Sequence, residues 1–160
     1  MKKKYNDRTD IEKLRSQWTK LTGLHGEQQW SAAVVRAATA AEIATNIAIR
    51  SEFGSQGKLT AAFVDSQLKW ANGIAGKFKN LLIPLTNHIK SKKTKIATIS
   101  QLVETINRKR NDIVHRGEFC SRKKSEELID LAKQVIEGLL ESYEPNFVLD
   151  DPKSTGDDDK

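Results

Sequence analysis

Apolar residues recur along most of this chain at steps of three and four, the spacing of one helix face, and no stretch alternates in a way that predicts a strand. Ile11, Leu14, Trp18 and Leu21 form the first stripe, which Gly23 and Gly26 interrupt. A second helix is predicted from about Glu27 to Phe53. Eight alanines lie between Ala32 and Ala48, and Trp30, Val34, Ala37, Ala41, Ala44 and Ala48 share a seam that lets a neighbouring helix approach closely. Gly54-Ser55-Gln56-Gly57 reads as a loop. A third helix is predicted from about Leu59 to Ile83. Leu59, Phe63, Trp70, Ile74, Phe78, Leu81 and Leu85 mark its stripe, and Pro84 marks its end or a kink. Lys90, Lys92, Lys93 and Lys95 then make a basic stretch expected to be an exposed loop. The fourth helix is expected to start near Thr98 or Ser100, either of which could cap it. It should end near Arg116, because Gly117 suits the left-handed position that closes many helices. A fifth runs from about Arg122 to Tyr143, burying Leu128, Leu131, Ala132, Val135, Leu139 and Tyr143. The expected fold is all-α, a compact antiparallel bundle of four to five helices.

At 160 residues the chain is long enough for one core and short for two. Residues 1–26 read as an N-terminal helix and linker, 27–145 as the bundle, and 146–160 as a disordered acidic tail. The hydrophobic and charged shares, 38% and 30%, fit a soluble globular domain. No uninterrupted apolar run approaches the roughly 20 residues that span a bilayer, so no membrane association is expected. The basic N-terminus has no apolar stretch behind it and does not resemble a signal peptide. Cys120 is the only cysteine, which rules out an internal disulfide and a cysteine metal cluster and suggests a reducing, cytoplasmic setting. The net charge is +6. Asp150 to Lys160 contributes −3, leaving +9 on residues 1–149, a balance suited to a polyanionic partner.

The fourth helix carries the candidate chemistry. Its stripe is Ile99, Val103, Ile106 and Ile113, widened by Leu102, and Arg110 falls in register with it. An arginine at a core position needs a carboxylate, a facing subunit or an anionic ligand, unless it snorkels from the edge of the stripe. His115 follows five residues later, about 140° around a straight helix from Arg110. Only a splayed last turn would bring the two together. Asn111 does share a face with His115. Histidine titrates near neutral pH and can serve as acid or base, or simply as a cation at the helix end.

Arg110-Asn111-Asp112-Ile113-Val114-His115-Arg116-Gly117 resembles the Arg-X4-His signature of the HEPN superfamily, with the frequent Asn after Arg. The helical setting is similar as well, with the motif late in a small bundle and an amphipathic helix after it. The resemblance implies a metal-independent endoribonuclease that needs no cofactor and forms homodimers joining two motifs in one cleft. It implies that His115 moves a proton at the ribose 2′-oxygen or the leaving 5′-oxygen. Arg110 would stabilise the phosphate charge, and Asn111 would orient His115 or a phosphate oxygen. The products would carry a 2′,3′-cyclic phosphate and a 5′-hydroxyl. Arg108, Lys109 and Arg116 would contact backbone phosphates of RNA.

Other residues are weaker candidates. Glu42 interrupts the alanine-rich helix and could pair with Arg110 across the bundle, or face solvent. Asp112 can bridge to Arg108 or Arg116. His25 and His88 read as surface residues, no carboxylate pairing suggests a metal site, and Trp18, Trp30 and Trp70 read as core. The expected function is therefore RNA cleavage, as a toxin or phage-defence effector. The alternatives are a non-catalytic module that binds RNA, nucleotide or a partner such as a nucleotidyltransferase antitoxin, and a plain helical interaction domain.

Overall fold

The structure is a computed structural model describing residues 3–150; residues 151–160, most of the expected acidic tail, lie outside the described part. The described residues are all-α. After a short 3-10 turn at Tyr5–Asp7 come α1 (Asp10–Gly26), α2 (Trp30–Ser55), α3 (Ala61–Trp70), α4 (Gly73–Lys77), a π-helical turn at Phe78–Leu82, α5 (Ile83–Thr86), α6 (Lys90–Arg116) and α7 (Arg122–Tyr143).

The alanine seam does what its spacing predicts. Val34, Ala37, Ala41, Ala44 and Ala48 are buried, and α2 lies at the centre of the bundle with α1, α4, α6 and α7 packed on it. By length and composition α2 could cross a membrane, although Arg36 and Glu42 interrupt its apolar residues, and most of it is buried here by its neighbours. Arg36 meets Gln17, and Arg50 meets Asp10, so α1 runs antiparallel to α2. Cys120 N–H donates to Ser31 Oγ at one end of α2, and Tyr143 O–H donates to Glu52 at the other, so α7 runs parallel to it. α6 runs antiparallel to both, since Lys92 also reaches Glu52 and Lys95 reaches Glu141.

The predicted third helix is three pieces. Asn72 (φ 39°) and Gly73 (φ 78°) leave the right-handed region and end the first piece. Pro84 lacks an N–H and crowds the carbonyl four residues back, which the wide turn at Phe78–Leu82 accommodates. The break rotates the buried face: Val64 and Leu68 are inside, while Leu59, Phe63 and Trp70, expected on the stripe, are exposed.

The lysine stretch is also not a loop, because α6 begins at Lys90 rather than near Thr98 or Ser100. Lysines are unfavourable in a first helical turn. Here Glu52 of α2 and Glu141 of α7 neutralise Lys92 and Lys95 from outside the helix. α1 contributes Leu14, Trp18 and Leu21 to the main core. Residues 146–150, expected to begin the tail, dock on α1. Leu149 is buried, Trp18 Nε1–H donates to the Asp150 carbonyl at 3.0 Å, and Arg15 lies over the Phe147 ring.

Glu52 is 2% exposed and sits between Lys92 and the Tyr143 hydroxyl, the latter at 2.6 Å. Burial pushes the Tyr143 phenol well above its ordinary range, and the Glu52 carboxylate adds to the shift. The folded phenol therefore keeps its proton longer than the unfolded one, whose pKa is about 10. Stability from this group is complete below that pH and drains as pH rises toward the folded value. Tyr143→Phe should lower stability by about 1–3 kcal/mol at neutral pH and lessen the fall in stability above about pH 10. Urea unfolding at both pH values checks this; an unchanged fall would remove Tyr143 from the alkaline transition.

Candidate active site

The motif helix is fixed at its end by a small apolar cluster. Val34, Cys120 and Leu128 are buried together, with Trp30, Ile113 and Leu131 packed around them. Gly117 closes α6 at φ 67°, and Glu118 N–H donates to the Asp112 carbonyl at 3.2 Å. The helix is α-helical through Arg116, so its last turn does not splay.

Arg110 and His115 therefore stay on different faces. Arg110 is half-buried and borders a cavity of about 190 Å³ between α2, the Asn72–Gly73 turn and α6. Its Nη1–H donates to Asn111 Oδ1 at 3.1 Å. Among the described residues no carboxylate lies within ion-pair distance of it. His115 is exposed and makes no hydrogen bond or ion pair among the described residues. Asn111 is thus engaged with Arg110 and not with His115.

The remaining motif residues divide by their partners. Lys109 binds Glu118 at 2.8 Å; that bond holds the lysine above its ordinary pKa and the glutamate below its own. Asp112 pairs with Arg116 at 3.3 Å and not with Arg108, which is exposed and without a partner among the described residues. Arg108 and Arg116 are thus the more accessible cations for a phosphate chain, with Lys109 committed to the loop after the helix.

Glu42 borders the same cavity as Arg110 but pairs with Lys77, whose Nζ lies 2.6 Å from Oε1. Lys77, largely buried, could have been anticipated, because an acid inside an alanine-rich helix requires a cation. Thr39, Asn72 and Asn107 complete the polar wall. The Asn72-Gly73 pair was itself a readable break signal. Trp70, expected in the core, is 85% exposed two residues before Asn72. His25, expected at the surface, is half-buried against the Trp30 ring, with Nε2 3.9 Å from Glu126. His88 is exposed, and among the described residues no three His, Cys, Asp or Glu side chains gather as a metal site.

No protein-family model matches the chain, and no curated protein or solved structure is detectably similar to it. The site therefore stands on its own geometry. That geometry depends on Gly76, where an added Cβ would lie 1.9 Å from the Ala71 carbonyl oxygen and force the Asn72–Gly73 turn to move. Gly76→Ala should lower stability by about 1–3 kcal/mol, seen as an earlier thermal unfolding transition; an unchanged transition would show that the turn yields freely.

Proposed function

We propose that this protein is a metal-independent endoribonuclease of the HEPN type, acting as a toxin or phage-defence effector in the cytoplasm. The observation that carries the proposal is the state of Arg110. Arg50, Lys77, Lys92 and Lys109 are each partly withdrawn from water and paired with a carboxylate, whereas half-buried Arg36, like Arg110, meets an amide oxygen, that of Gln17. Arg110 is half-buried at a polar cavity and has only an amide oxygen. A guanidinium kept free of carboxylates and aimed by its neighbour is suited to an anion, and its planar fork fits a phosphate.

In the reaction, the ribose 2′-oxygen attacks phosphorus as His115 accepts its proton. The P–O5′ bond breaks, and the 5′-oxygen leaves as a hydroxyl after gaining a proton. Arg110 stabilises the charge that grows on the phosphate oxygens. Arg108 and Arg116 hold flanking phosphates through a salt-sensitive attraction.

Because Arg110 and His115 do not converge within one chain, the proposal includes a homodimer in which each site joins Arg110 of one copy to His115 of the other. Val114 is exposed beside His115, and Phe119, four residues beyond it, is 94% exposed. These apolar side chains favour burial against a second copy. The same separation also favours a second reading, a non-catalytic module that binds RNA, nucleotide or an antitoxin-like partner through Arg110 alone.

His115→Ala and Arg110→Ala should each slow RNA cleavage by at least about 100-fold without unfolding the protein, and the double variant should be little worse than either. Arg110→Lys should be impaired as well. Mixing the two alanine variants should restore activity to about a quarter of wild type, because half of the dimers are mixed and each has one intact site. Wild-type cleavage by folded His115→Ala protein would leave only the binding module, and no recovery on mixing would remove the shared site.

A further inference from the structure

We propose that the cavity bordered by Arg110 is a subsite for one unpaired RNA base, and that its chemistry selects guanine. This rests on the ribonuclease proposal for Arg110, which places the base next to the scissile phosphate. The cavity's volume of about 190 Å³ leaves room for one heterocycle but not for a helix or a folded peptide.

Its wall is built from groups with unused hydrogen-bonding capacity. Lys77 anchors Glu42 through Oε1, while Oε2 enters no hydrogen bond among the described residues. A carboxylate oxygen accepts hydrogen bonds, so Oε2 offers the cavity an acceptor. The side chains of Asn72 and Asn107 likewise make no hydrogen bond among the described residues. Asn72 is held at φ 39°, φ 78° follows at Gly73, and Gly76 admits no side chain beneath the turn. A backbone held in this region costs energy, and such residues concentrate at ligand sites.

The edge chemistry chooses among the bases. Guanine presents two adjacent donors, N1–H and the N2 amino group, which complement a carboxylate. Its O6 and N7 accept from amide or guanidinium N–H groups. Adenine and cytosine each offer only an amino donor on that edge, and uracil a single N–H between two acceptors. Trp70 does not line the cavity, and the base it would stack on is a neighbouring one of the strand. An aromatic ring left 85% in solvent, two residues before Asn72, is available for stacking, which is tolerant of base identity. Edge recognition by Glu42, Asn107 and Asn72 and stacking on Trp70 are thus separable contributions.

The test uses eight-nucleotide single-stranded oligouridylates with A, C, G or U at one central position. All sugars are 2′-fluoro, so no 2′-hydroxyl can attack. Binding is followed by fluorescence anisotropy. The guanine oligonucleotide should bind wild type about tenfold more tightly than the other three. Glu42→Gln and Asn107→Leu should erase that preference, and Trp70→Ala should weaken all four about equally. Asn107 carries no ion pair, so its variant remains informative if Glu42→Gln, which leaves Lys77 without its carboxylate, fails to fold. Equal wild-type affinity for the four oligonucleotides, or a guanine preference that survives folded Asn107→Leu, would overturn the subsite. Cleavage of ordinary RNA is scored separately. Guanine preference without cleavage would sink the ribonuclease and keep the subsite, whereas cleavage without base preference would do the reverse.

Discussion

The burial of α2 is the constraint on which the other elements depend. Half of its 26 residues are buried, among them seven alanines, Val34, three isoleucines and one acid, Glu52. Small side chains let α1, α4, α6 and α7 come close, and close helices exclude water. An acid so enclosed must then find a cation or a donor, because a lone buried charge costs several kcal/mol. Lys92 and Tyr143 meet Glu52, and Lys77 meets Glu42. These pairs set where α4, α6 and α7 sit along α2. The alanines supply the proximity, and the charges supply the register.

The same constraint produces the site. Lys77 satisfies Glu42, so the acid that the sequence offered to Arg110 is already occupied. Arg110 is left at a polar cavity with one amide contact, while the rest of α6 is tied down by Ile113 at one end and by Lys92 and Lys95 at the other. Rigid placement of an unneutralised guanidinium is what an anion site requires, since little has to reorganise when the charge arrives. His115 lies on the last turn, solvated and unrestrained by any hydrogen bond among the described residues. In the proposed account a second copy supplies what one bundle leaves incomplete.

Much of the fold was legible in the chain. The stripe on α7 predicts a helix from about Arg122 to Tyr143, and the structure has those bounds, with Ser121 Oγ capping it by accepting from Lys124 N–H. The seam of α2 was equally plain, because spacing alone determines which face is apolar. Errors arose where distant residues decide. Lys90 to Lys95 look like a loop until Glu52 and Glu141 are brought alongside. Trp70 looks buried until Asn72 and Gly73 turn the chain. For the site, the phase of α6 already separated Arg110 from His115, and the structure keeps that separation. The Glu42–Lys77 pair depends on the broken third helix, which a single continuous stripe concealed.

The central claim is that Arg110 and His115 cleave RNA by attack of the neighbouring 2′-oxygen. The chemical form of the new ends tests it most directly. Mass spectrometry of fragments from wild-type protein and a defined single-stranded RNA, with chelator present, should find 2′,3′-cyclic phosphate upstream of the cut and 5′-hydroxyl downstream. Fragments ending in 3′-hydroxyl and 5′-phosphate would contradict the account, because those ends require an external water rather than the ribose itself.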